Sequence, residues 1–373
     1  MSTTDHFDAP AAIIGAGPVG IEMHIALKRA GMRALHFEAG QVGEVITRWA
    51  PFTEFFSTPE RIALAGVPIP NLHQRRITGE EYVAYLRALV EQFDLPIHFH
   101  EPVTRIEPLD GGGFAITTRH LRLGERRYTA RHVIAATGGM AKPNRLGIPG
   151  EDLPHVEHAF IGPHKYFRQR VLVVGGRNSA GEAALRCWRA GSEVAISYRR
   201  GELTRIKHTI LEELSHLIDI GKVGFYPNTV PTAISPQHVT LSPCADDGTL
   251  LNGEDVHHET DFVLMMTGFV ADMTLLGDAG VRLNPANQQP HYDPTTMQTN
   301  VPGLYVVGTA AGGTQNDGYS YFIETSHHHV VTITEGLTGQ RPVVGRSPHH
   351  DYGFFPEEEE EDEQAAPEAK KET

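Results

Sequence analysis

Gly15, Gly17 and Gly20 fit G-x-G-x-x-G, with the apolar run AAII before them and the stretch IEMHIALKRAG after. The pattern predicts a strand, a tight turn and a helix. Glycines at this spacing permit the turn, a close backbone approach to a pyrophosphate, and close packing of helix on strand. The helix N-terminus adds free N–H groups and a positive dipole end for phosphate. A second strand, RALHFE, ends on Glu38, 23 residues after Gly15. A carboxylate there can accept hydrogen bonds from an unphosphorylated ribose diol.

The plan repeats 160 residues later. VLVV is the strand, SAGEAALRCWRAG the helix and SEVAISYRR the second strand, with Gly175, Arg177 and Ala180 at the three glycine positions. The residue matching Glu38 is Tyr198, followed by Arg199 and Arg200. An acid would repel a 2′-phosphate, whereas guanidinium groups pair with it through parallel hydrogen bonds. The second unit is therefore expected to bind NADPH, with NADH less favoured. Arg177 is expected either over the nucleotide or in solvent, and both remain open.

The elements around these loops follow from periodicity. Residues 79–95 read as an amphipathic helix; 96–106, 114–118 and 128–136 read as strands, the last ending in AATGG. Pro143, Pro149 and Pro154 mark a connection, DFVLMMTG closes the second unit, and TNVPGLYVVGT is another buried strand before a helix expected to begin near Tyr321. The fold class is α/β, with two nested Rossmann-like, three-layer dinucleotide-binding domains. The first is discontinuous, 1–165 plus 291–345, and the second, 166–290, is inserted into it. The arrangement requires residues 301–312 to touch the loop at 15–20.

The 373 residues carry a formal charge of −14. From Asp351 onward ten acids stand against two lysines, a net −8 that leaves −6 for the rest. The segment 346–373 is read as an acidic disordered tail. No basic surface suggests nucleic acid, and no apolar run reaches the ~18 residues that cross a bilayer. The N-terminus lacks signal-peptide features, and two cysteines make no disulfide framework, so a cytoplasmic location without membrane insertion is expected. Cys187 is read as a buried helix residue and Cys244, in the polar SPCADDG, as a surface thiol. No metal site is expected: His327, His328 and His329 diverge by about 100° each on a helix and are assigned packing and solvent roles, and His98 and His100, one face of a strand, lack further ligands.

GAGPVG with Glu38, AATGG, the nested loop ending in YRR, and TNVPGLYVVGT together resemble the two-dinucleotide-domain flavoprotein reductases of the thioredoxin reductase type. FFSTPERIALAGVPIP, IPGEDLPHVEHAF, YFRQRVLVVGGRNSAGEAAL, IKHTILEELSHLIDIGKV and FVLMMTGFVAD resemble, more narrowly, the bacillithiol disulfide reductase branch. The resemblance implies FAD on the first domain, at Gly15, Gly17, Pro18, Gly20, Glu38, Val103, Thr137, Gly138, Gly308 and Thr309. It implies NADPH on the second, at Gly175, Gly176, Asn178, Ser179, Ala180, Tyr198, Arg199 and Arg200. It further implies a homo-oligomer, hydride transfer from NADPH to FAD, and a final helix whose N-terminus faces the flavin pyrimidine.

Two departures bear on the output. HAFI at 158–161 stands where thioredoxin reductases of this type carry C-x-x-C, and Val19 stands where the narrower branch carries a loop cysteine. A thiolate is what attacks a disulfide sulfur, so no catalytic side chain is assigned. The acceptor stays open between a low-molecular-weight disulfide, a ferredoxin- or flavodoxin-type carrier and a quinone. The partial motif FIGPHKYF adds a flavin monooxygenase reading, and a flavin- and NADPH-binding sensor without turnover is the remaining alternative.

Overall fold

The structure is a computed structural model that describes residues 7–315 and 321–345. The expected acidic tail lies outside the described residues. In the first half, β1 (Ala9–Ile14) leads into α1 (Pro18–Arg29) and β2 (Ala34–Phe37), followed by α2 (Gly79–Gln92), β3 (Val103–Pro108), β4 (Phe114–His120) and β5 (Gly124–Ala135). β5 is long enough to serve two partnerships. Its first half pairs antiparallel with β4, and its second half runs parallel between β1 and the returning strand Leu304–Val306. Ile14 and Val306 both register on Ala135, so the turns after three strands open at one edge of the sheet. That edge, at the carboxyl ends of parallel strands, is where open α/β sheets take ligands.

The second sheet is wholly parallel, in the order Val223–Pro227, Glu193–Tyr198, Arg170–Val174, Phe262–Met265, Val156–Glu157. Helices Asn178–Arg189 and His208–Asp219 supply Ala183, Ala184, Cys187, Leu214 and Leu217 to the core on one face. A three-stranded antiparallel sheet covers the other face with Ile234, Val239 and Leu241. The second sheet already takes Val156–Glu157, ahead of residue 166. Ala271, Met273, Leu276, Ala279 and Val281 are back in the first core before residue 291.

Local departures from the periodic reading have side-chain causes. The stretch 96–106 is not one strand: His98 makes a single bridge to Phe37, His100 turns left-handed at φ 52°, and the strand proper starts at Val103. His98 and His100 therefore do not share a strand face; His98 stacks on Phe37 and His100 meets the Gln41 amide. The last helix is His327–Thr338, six residues later than expected. Thr325 accepts from the Phe322 amide and Ser326 donates to the Phe322 carbonyl, so short polar side chains hold the preceding turn.

This last helix packs beside α1 through a buried carboxylate. Glu22, fully buried on α1, accepts from the amides of Ala65 (2.8 Å) and Gly345 (2.6 Å) with Oε1, and meets His327 Nδ1 at 2.6 Å with Oε2. The neighbouring carboxylate raises the His327 pKa against the opposing effect of burial. Removing one partner of such a pair leaves a buried group without its counter-charge. Glu22→Ala is expected to cost about 3–5 kcal/mol, measured by urea unfolding; Glu22→Gln, which keeps an oxygen for both amides, should cost less than half of that.

Candidate dinucleotide sites

At the first loop, Gly15 sits at φ 107°, and a Cβ on it would meet the Ala136 carbonyl oxygen at 2.4 Å. A Cβ on Gly20 would meet the Gly15 oxygen at 2.0 Å. Both glycines are demanded by backbone lying on backbone, as the spacing implied. Gly17 differs, because nothing lies within 4 Å of its Cβ direction. It caps α1 with no side-chain partner, and Pro18 takes the first helical turn. Open space in front of free amides at a helix start is what a pyrophosphate requires.

Glu38 is 9% exposed. Its Oε2 accepts from the Ala16 amide at 2.6 Å and its Oε1 from Gly40 at 2.8 Å, leaving further lone pairs for a diol. Burial raises its pKa from the ordinary carboxylate value, while those amides pull the other way. Val103 opens the edge strand with its side chain against the first core, so any ligand contact there falls to its backbone.

The expected contact between the returning segment and the first loop is present: a Cβ on Gly308 would touch Val19 at 3.2 Å. Thr309 Oγ1 accepts from the Gly139 amide at 3.0 Å, which ties the turn after Leu304–Val306 to the turn after β5. Thr137 Oγ1, in the same turn, is buried without a hydrogen-bond partner. A buried hydroxyl is rarely left so, and an added polar ligand would satisfy it. The described residues thus fit a bound dinucleotide on the first domain.

The second loop repeats the packing. A Cβ on Gly175 would meet the Met266 oxygen at 2.4 Å, and Ala180 fills the third position 3.3 Å away. Tyr198, 7% exposed, lies across Gly176, so it walls the loop. Arg177 is tolerated because its backbone is extended, φ −113° and ψ −179°, a conformation that needs no glycine. It bridges to Arg205. Asn178 Oδ1 accepts from the Lys207 amide at 2.8 Å, which commits that oxygen to holding the neighbouring loop; Ser179 is exposed in the first helical turn. Arg200 Nε is buried with no hydrogen-bond partner, and neither Arg199 nor Arg200 makes an ion pair among the described residues. An anion beside the second strand end would supply what the buried guanidinium nitrogen lacks.

Neither cysteine is poised as a thiolate. Burial pushes the Cys187 thiol up to about 12. Cys244 is not the expected surface thiol: it is 1% exposed, its Sγ lies 3.7 Å from the Arg199 carbonyl oxygen, and burial raises its pKa too.

The histidines contain what the sequence reading missed. His36 Nε2 lies 2.9 Å from the Gly15 oxygen, and its Nδ1 lies 3.0 Å from His24 Nδ1. His329 Nδ1 accepts from the Gly308 amide at 3.1 Å. His36 lies on β2 two residues before Glu38, which follows the strand directly, and alternate residues of an extended chain share a face, a signal present in the sequence. Of the consecutive histidines assigned to packing and solvent, His327 and His329 are instead hydrogen-bonded inside the protein.

A family model described as pyridine nucleotide-disulphide oxidoreductase matches residues 12–308. The bacilliredoxin reductase Bdr of Bacillus subtilis (strain 168) is 32% identical, the alignment spanning 86% of this chain and 94% of that protein. The solved bacillithiol disulfide reductase Bdr of Bacillus cereus superposes with TM-score 0.82 at 28% identity, over 89% of this chain and 99% of that one. A ferredoxin–NADP reductase of Limosilactobacillus fermentum is 29% identical over 62% of this chain and 68% of its own.

Burial lowers the pKa of His24 to about 4 and of His36 and His329 to about 3, with Lys28, His24 and His328 respectively adding to the effect. In the unfolded chain each titrates near 6.5. Their stabilising contribution is therefore complete above about pH 6.5 and is lost as pH falls towards their folded values. His327, raised by Glu22, opposes this trend. The unfolding free energy from urea titrations at pH 8 to 5 should fall below about pH 6.5, by up to about 1.4 kcal/mol per pH unit for each titrating group; a flat or rising profile contradicts the assignment.

Proposed function

This chain belongs to the pyridine nucleotide-disulphide oxidoreductase family and is an FAD-dependent oxidoreductase; from that premise we propose that it takes electrons from NADPH and delivers them, without a thiol relay of its own, to a low-molecular-weight disulfide. FAD is assigned to the first loop with Glu38, Thr137 and the Gly308 turn, and NADPH to the second with Arg199 and Arg200. The observation that carries the nucleotide choice is the buried Arg200 Nε without a partner, at the strand end where a 2′-phosphate would lie. A guanidinium there favours the phosphorylated cofactor, while the acid at the matching position of the first loop favours a free ribose.

The flavin supplies hydride acceptance and electron release when bound. The chain's own residues bind and orient: the α1 N-terminus and loop amides hold phosphate, Glu38 holds the ribose, and Thr309 keeps the two turns together. In balance, NADPH gives up a hydride, a solvent proton joins it, the S–S bond breaks and two thiols leave beside NADP+. Support for a disulfide acceptor comes from the Bacillus cereus relative, a bacillithiol disulfide reductase; the Bacillus subtilis relative is a bacilliredoxin reductase. A second reading, a one-electron protein carrier, is favoured by the burial of both cysteines and by the ferredoxin–NADP reductase relative, since such an acceptor needs no thiol.

Steady-state assays with bacillithiol disulfide and with ferredoxin distinguish the two. Turnover of the disulfide supports the first reading, and turnover of ferredoxin alone replaces it with the second. In either assay Arg200→Ala should raise KM for NADPH by about ten- to a hundredfold, the worth of a charge-assisted pair, with KM for NADH unchanged. An equal loss for both nucleotides overturns the role given to the arginine.

A further inference from the structure

Two turns meet at Val19, and each is held by a fully buried histidine. Gly15 stands at φ 107° with its carbonyl pressed beneath Gly20; Gly308 stands at φ 67° with Val19 against it. Such turns strip backbone groups of regular partners. The Gly15 oxygen receives His36 Nε2 at 2.9 Å, and the Gly308 amide finds His329 Nδ1 at 3.1 Å.

The tautomers follow from the partners. A carbonyl only accepts, so His36 carries its proton on Nε2. Its bare Nδ1 then accepts from His24 Nδ1–H, 3.0 Å away. An amide only donates, so His329 Nδ1 is bare and its proton sits on Nε2. Both rings are thus the Nε2–H form, used from opposite ends. Burial and the groups around them favour neutrality: Lys28 beside His24, His98 beside His36, and His328 beside His329. His329 Nε2 itself has no hydrogen-bond partner.

We infer that His36 and His329 are positioning residues for the cofactor of the first domain, fixing through opposite ring nitrogens the Gly15 and Gly308 turns that form its cradle. The inference rests on the assignment of FAD to that domain. Neither histidine is asked to exchange protons with substrate. Their work is to keep two strained turns at the spacing the ligand needs, as a supporting shell does for a binding site.

Amide side chains of matched and mismatched reach test this. Gln places its nitrogen near the imidazole Nε2 and Asn its oxygen near Nδ1, so His36→Gln and His329→Asn keep the two hydrogen bonds. His36→Asn and His329→Gln lose them. FAD is removed, and rebinding to each apoprotein is followed by flavin fluorescence, with NADPH affinity of the second domain as the folding control. The matched variants should bind FAD within about threefold of wild type. The mismatched ones should bind about ten- to a hundredfold more weakly, the effect of a buried backbone group left unpaired, with NADPH affinity unchanged. Equal FAD affinity in all four, or equal loss in all four, overturns the inference; failure of the wild-type apoprotein to take up FAD overturns the cofactor assignment first. If a mismatched variant does not fold, nitrogen NMR of the histidine rings in the wild-type protein decides. Both rings must be Nε2–H at pH 7, and an Nδ1–H form at either one rules the inference out.

Discussion

Helix α1 reaches the end of its sheet only because backbone meets backbone there. The Gly15 oxygen occupies the space a Cβ on residue 20 would take, and the Ala136 oxygen occupies the space of a Cβ on residue 15. This contact brings the helix start, the turn after β5 and the turn after Leu304–Val306 into one place. The second domain repeats the constraint between Gly175 and the Met266 oxygen. Close backbone approach at the carboxyl end of parallel strands is what leaves amide groups exposed to a phosphate rather than screened by side chains.

The positions governed by that constraint were legible in the sequence, because glycine spacing between a strand and a helix has few other causes. The contact of the returning segment with the first loop followed from the order of the two repeated units, and buried Val307 and Gly308, just past the strand Leu304–Val306, lie there against Val19. Arg177 shows the converse. The middle position of the second loop has an extended backbone, so the departure from glycine carries no structural penalty.

What was not legible depended on partners distant in sequence. His36 and His329 look like ordinary histidines until Gly15 and Gly308 are placed beside them. Glu22 reads as a polar residue on an amphipathic helix, yet it binds segments more than forty and three hundred residues away. Cys244 sits among aspartates and still packs inward, because the strand end at Arg199 and the turn at Asn228 close over it. The start of the last helix was misplaced because Thr325 and Ser326 compete for the backbone of Phe322, a local effect that hydrophobic periodicity does not register.

Electron input and output are unequally determined by this architecture. In the function proposed above, input is tied to named groups on two repeated loops, whereas output has no thiol on the chain suited to relay it, since both cysteines are buried and held protonated. The central claim is that the second loop feeds the first. Anaerobic stopped-flow mixing of the flavin-loaded protein with one equivalent of NADPH or of NADH tests it most directly: the account predicts loss of the oxidised-flavin absorbance with NADPH, faster than with NADH. Flavin that stays oxidised with both nucleotides would contradict it.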